Sequence, residues 1–241
     1  MLRSFYSGIS GLRNFQTKLD VVSNNIANVN TVGFKKSRVV FQDIISQTLQ
    51  GATAPDQRGG VNPKQVGLGA SIATIDTIFD NGSPQTTNVS TDLYINGNGF
   101  FVVTDGNNNF YLTRAGNFTI DRDGNLVNSQ GLFVVDTNGQ PIKEYFADAV
   151  SYTIEQNGTI VKIDSNGNTT NNVKIGISLV ENPAALEKIG DSLYRLTSNA
   201  DPNFPDVIAT IGEPTVDGRG TIWSGFLEMS NVDLAEEFTE M

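Results

Sequence analysis

Apolar side chains recur along the first thirty residues at Leu2, Phe5, Ile9, Leu12, Phe15, Leu19, Val22, Ile26 and Val29, with a mean step near 3.4 and mostly polar residues between them. The spacing predicts one helix from about residue 2 to residue 29, whose narrow stripe lies close to the 3.5-residue repeat of a coiled-coil seam. At about 1.5 Å per residue such a helix is roughly 42 Å long, longer than a small β domain is wide, so one compact domain cannot cover the stripe. Full burial of an apolar side chain is worth roughly 1.5 to 3 kcal/mol, which a solitary helix forfeits. The stripe therefore requires a partner helix. The ordinary alternative, a core helix wrapped by its own domain, asks for a wider apolar face than this one.

A shorter apolar series closes the chain. Ser230-Asn231-Val232-Asp233 has the Ser-x-x-acid form of a capping box, and Leu234, Phe238 and Met241 follow at helical spacing. An amphipathic helix is expected to begin there, and it stops in mid-pattern without a closing Gly, Asn or basic residue, as in a chain that has lost a natural tail. Charge divides between the two ends. Residues 1–40 carry six Lys and Arg against one acid, and residues 201–241 carry nine acids against one Arg. Opposite signs select partner and orientation more than they supply binding energy, while acids gathered at a helix N-terminus by its dipole account for the bias equally well.

Between these ends the rhythm changes. Residues 31–70 mix Gly, Pro, Gln and Ser and read as an irregular linker with one helical turn or strand. From Ser71 onward short β-branched and aromatic runs alternate with Asn-Gly and Asp-Gly turns, among them Leu93 to Ile95, Phe100 to Thr104, Phe110 to Thr113, Leu132 to Val135 and Thr159 to Ile163, the pattern of antiparallel strands. Asn and Gly together make up about a fifth of the chain, as a turn-dense protein requires. The expected organisation is an N-terminal helix over 1–30, a linker over 31–70, an antiparallel β domain over 71–222 and the start of a C-terminal helix over 223–241. The fold class is mainly β, an antiparallel β domain flanked by N- and C-terminal helices that would pair as a coiled coil.

Little chemistry is written into these residues. The chain has 241 residues, no Cys and no His, which removes disulfides, thiolate nucleophiles and imidazole bases or metal ligands. A formal charge of −10 argues against sequence-independent nucleic-acid binding, and no apolar run is long enough to insert in a membrane. The N-terminus lacks the apolar core and small-residue site of a cleaved signal peptide. Three acidic turns, starting at Asp121, Asp136 and Asp164, invite a calcium reading, but the twelfth position of each loop holds Leu132, Ala147 or Ile175 where an EF-hand needs Glu; Asx-type turns explain them. Asp121 and Asp123 keep open a hydrolase reading. Lys35-Lys36-Ser37-Arg38 reads as a solvated junction after the first helix. No cofactor or metal site is expected.

Several blocks resemble the bacterial flagellar rod and hook proteins. They are Ser7-Gly8-Ile9-Ser10-Gly11-Leu12, then Asp20 through Ala27-Asn28-Val29-Asn30-Thr31-Val32-Gly33-Phe34-Lys35-Lys36, then Gly97-Asn98-Gly99-Phe100 and Thr113-Arg114-Ala115-Gly116-Asn117-Phe118, and finally Gly225 through Phe238. The wording is most like the short Gram-positive hook proteins and nearly as much like the distal rod protein. The resemblance implies a non-enzymatic subunit that is exported without a cleaved signal and stacks helically with copies of itself into a torque-bearing tube. It implies contact with other axial proteins (rod, hook–filament junction, hook cap) and a place in the extracellular or cell-envelope part of the flagellum. The stripe residues Leu2, Phe5, Ile9, Leu12, Leu19, Val22 and Ile26 would face Leu234, Phe238 and Met241. Asn24, Asn25, Asn28 and Gly33 would cap and redirect the chain at the helix end. A β-rich adhesin or binding module with an oligomerising N-terminal helix is the competing class.

Overall fold

A computed structural model describes residues 2–52, 54, 59–107, 109–165 and 167–241, without the side chains of Leu2 and Arg3. The chain is mainly β, with a long N-terminal helix and a short C-terminal one. Its residues group into two compact units, one made of Met1–Ala27, Ser37–Ile78 and Asp233–Met241, the other of Asn28–Lys36 and Phe79–Val232.

The first unit is built on α1 (Leu2–Ala27), followed by strands β1 (Ser37–Asp43), β2 (Ser46–Gln50), β3 (Lys64–Gly67) and β4 (Ala70–Thr77), and closed by α2 (Leu234–Glu240). β1 pairs antiparallel with β4, Ser37 opposite Thr77 and Asp43 opposite Ala70, and β2 pairs antiparallel with β3. The segment 31–70, read from sequence as irregular, thus carries three strands, and β4, read as part of the β domain, groups with the helices. β2 and β3 are solvent-exposed along their whole length, so no core imposes the period-2 alternation that would have revealed them.

The helix meets this hairpin with its small and polar face. The Asn14 side-chain amide donates to the Ala70 carbonyl at 2.7 Å, and Gly69 lies so close that a Cβ there would sit 2.5 Å from Ser10 Oγ. Gly69 also adopts a positive φ of 125°, so the approach needs glycine twice over. The α2 start differs from the expected one by three residues. Asp233, not Ser230, is the N-cap, its carboxylate accepting from the Ala235 and Glu236 amides, while Ser230 Oγ accepts from the Val232 amide before the helix begins.

The second unit holds β5 (Pro84–Thr86), β6 (Leu93–Asn96), β7 (Phe100–Thr104), β8 (Phe110–Thr113), β9 (Thr119–Ile120), β10 (Leu126–Val127), β11 (Phe133–Val134), β12 (Ala149–Ile154), β13 (Thr159–Asp164), β14 (Thr169–Lys174), β15 (Ile177–Ser178), β16 (Glu187–Gly190), β17 (Leu193–Arg195), β18 (Ile211–Gly212), β19 (Thr221–Ser224) and β20 (Phe226–Glu228). Its main sheet runs in the order β16-β17-β8-β7-β11-β10-β9, with β15 joining β7 to β18; β12, β13 and β14 form a meander, and β6 pairs β19 and β5 pairs β20. The pairings between these strands are antiparallel, as the turn signals predict. β7 is buried throughout. Phe101 and Val103 enter one core with Leu93, Ile95, Phe118, Ile160 and Ile222, while Phe100 and Val102 enter another with Leu112 and Tyr194. A strand covered on both faces reads as a continuous apolar run, which is what Phe100-Phe101-Val102-Val103 is.

Candidate functional site

Most of the apolar stripe of α1 is left exposed although the helix packs on β1 and β4. Phe5 is 67% exposed and Leu12 73%, Ile9, Phe15 and Leu19 are exposed as well, and only Val22, 4% exposed, is buried; Ile26 is half-buried. The side chain of Leu2 lies outside the described residues. A repeat shorter than 3.6 drifts around a straight helix by about 20° per heptad, so the far end of the stripe reaches the covered face at Val22 while the near end turns outward. Phe15 touches the ring of Phe41, centroids 5.7 Å apart, and remains largely exposed.

On α2 the apolar residues Leu234, Phe238 and Met241 are exposed too. Two polar links join α2 to α1 within this unit. Lys18 Nζ lies 3.0 Å from Glu240 Oε2, which puts the opposite charges of the two chain ends side by side, and the Asn25 amide donates to Glu237 Oε2 at 3.1 Å. Asn25 is buried and also exchanges both bonds with the backbone of Ser37, donating to its carbonyl at 2.9 Å and accepting from its amide at 3.0 Å. Asn24 sits exposed on the last turns of α1.

Beyond the helix, in the second unit, Asn28 builds a turn by accepting from the Thr31 amide at 3.1 Å and from the Thr31 hydroxyl. Gly33 has φ 67°, and a Cβ there would lie 2.5 Å from the Ala115 nitrogen, so no other residue fits without displacing backbone. Its amide donates to the Glu228 carbonyl at 2.8 Å.

Lys35 corrects the sequence reading. Expected to be solvated, it is wholly buried, its ammonium 2.6 Å from Glu228 Oε1 and 2.7 Å from the Asp80 carbonyl. Arg114, also buried, reaches Glu228 Oε2 at 3.4 Å, donates to the Gly97 carbonyl at 2.8 Å and to Asn81 Oδ1 at 3.2 Å, and lies over the Phe100 ring. Burial pulls both the Lys35 and Arg114 pKa values down, and Glu228 pulls them back up. Local sequence carries no signal for this cluster, because its members are far apart in the chain and no periodicity links them. The acidic turns carry out backbone work. Asp136 Oδ1 accepts from the Asn138 and Gln140 amides at 2.8 Å each, and the Asp121 carbonyl accepts from the Gly124 amide while its carboxylate takes a bond from Asn125. Asn166, in the third turn, lies outside the described residues.

Two family models match the chain, the flagellar hook protein FlgE/F/G D1 domain over residues 94–170 and the flagella basal body rod protein over residues 5–35. The flagellar basal-body rod protein FlgG of Bacillus subtilis (strain 168) is 50% identical over 242 residues, covering 100% of this chain and 89% of the relative. The chain belongs to the flagellar rod and hook protein family. The FlgG rod protein of Borreliella burgdorferi is 37% identical over 244 residues with the same two coverages. The flagellar hook protein FlgE of that organism is 56% identical over 149 residues, covering 59% of this chain and 34% of the relative. In this rod and hook family member the exposed stripe and Lys35 fall within the rod match and Arg114 within the D1 match.

Proposed function

We propose that this chain is a non-enzymatic axial subunit of the flagellum that assembles with copies of itself into a tube. Its α1 and α2 supply the inner layer by pairing with the helices of neighbouring copies as a coiled coil, and the β unit forms the outer body. The observation that carries this is the exposure of Phe5, Ile9, Leu12, Phe15 and Leu19 on one helix, more apolar surface than a monomer leaves uncovered along a single face without using it. Other axial proteins would bound the tube at its ends, and the subunit would leave the cell without a cleaved signal.

Between rod and hook, the sequence wording leans towards a short hook protein. The end-to-end match to rod proteins, against partial coverage of the hook relative, favours the rod. Deletion of the gene followed by electron microscopy of isolated basal bodies separates the two. A rod subunit leaves particles with neither distal rod nor hook, whereas particles with a complete rod and no hook assign the chain to the hook. Particles with both structures intact refute the axial reading.

A further inference from the structure

The chain passes between its two units at four points, after Ala27, Lys36, Ile78 and Val232. On the side of the second unit, the segments flanking all of these points are tied to the Lys35–Glu228–Arg114 cluster. Lys35 lies one residue before the second crossing and bonds the Asp80 carbonyl, just after the third. Glu228 Oε1 accepts both the Lys35 ammonium and the Gly82 amide at 2.9 Å, and its main-chain carbonyl accepts from Gly33, on the segment that follows the first crossing. Arg114 adds Asn81. Asn231, just before the fourth crossing, accepts from the Lys36 amide at 2.7 Å and donates to the Asp80 carbonyl.

We propose that this buried ionic cluster is the common anchor of every passage between the units, fixing on the second unit the points from which α1, the β1–β4 hairpin and α2 depart. Its purpose is position rather than net stability. Buried ion pairs repay their desolvation poorly, and apolar residues of similar volume often do as well; but apolar side chains cannot hold the Asp80 carbonyl and the Gly82 amide on one stretch together with the Gly97 carbonyl on another. The charges are retained because they bind the backbone of both stretches at once while joining Lys35, Arg114 and Glu228 to one another. This inference does not depend on self-assembly.

The test uses the 241-residue chain, which has a single Trp. Amide hydrogen exchange at Gly33, Lys36 and Gly82, which bond Glu228 or Asn231 beside the crossings, reports how firmly those segments are held on the second unit. Near-ultraviolet circular dichroism of Trp223, packed against Tyr94 and Phe226, reports the fold of the second unit. In E228Q and K35M exchange at Gly33 and Lys36 is expected to rise relative to the parent while the Trp223 signal persists. Exchange at the Gly82 amide should rise roughly tenfold in E228Q as its acceptor loses its charge. Unchanged exchange at these amides with the Trp223 signal intact overturns the proposal. Collapse of that signal also overturns it, by making the cluster a support of the core.

Discussion

Truncating Leu12 should cost the free subunit almost nothing and the polymer a great deal. The side chain is 73% exposed on α1, so L12A removes little buried surface, and Ala is at least as good a helix former as Leu; the change in monomer stability is expected to stay within about 0.5 kcal/mol. Val22, on the same stripe but buried, is the internal control. V22A deletes about two buried methyl groups and leaves a void, a loss of about 2 kcal/mol. In the assembled state the ranking reverses. If Leu12 is fully covered by a neighbour, its loss removes roughly 1.5 to 3 kcal/mol per subunit contact, equivalent to a tenfold or greater rise in the concentration needed for assembly. Urea denaturation of the monomer and sedimentation of polymer across a concentration series measure the two quantities. An L12A monomer destabilised as much as V22A, or an L12A polymer that assembles at the parent's concentration, refutes the reasoning.

G33A forces a Cβ to within 2.5 Å of the Ala115 nitrogen at φ 67°; strain and overpacking together should lower stability by about 2 to 4 kcal/mol, read from the denaturation midpoint. N25A strips the Ser37 backbone and Glu237 of their buried partner and is expected to cost about 2 to 3 kcal/mol in the same assay. The Tyr194 hydroxyl is buried with no hydrogen-bond partner among the described residues, and burial pushes its pKa well above the ordinary value near 10. Above pH 10 the unfolded tyrosine loses its proton while the folded one keeps it, so stability falls as pH rises. Y194F should remove about 1.4 kcal/mol of that fall per pH unit and should be no less stable than the parent at pH 7, a comparison made by denaturation at pH 7, 10 and 11.

The parts of this fold that were legible in sequence are those where local chemistry and tertiary demand coincide. The stripe from Phe5 to Leu19 stands out because nothing in its own unit interrupts it, and the run Phe100 to Val103 because both faces of β7 are buried. The Asp-led turns declare themselves through side chains that bond their own backbone, as Asp136 does. β1, β2 and β3 were hidden for the opposite reason. β2 and β3 are exposed along their whole length and β1 is at most half-buried, so none of them needs alternating apolar residues. Lys35 misled because a basic run is usually solvated, and only the tertiary fold brings Glu228, 193 residues away, into contact with it. At α2 the capping pattern was right in kind and three residues early, since Asp233 with Glu236 repeats the same motif closer to the apolar series.

The proposed assembly covers the outward face of α1 with other copies of the chain. Single cysteines placed at Ile9 and Leu12 can be labelled with a maleimide in purified monomer and in flagellar structures isolated from cells. Rapid reaction in the monomer and strong protection in the assembled structure are the expected result. Equal reactivity in both states, or protection already present in the monomer, rules that coverage out.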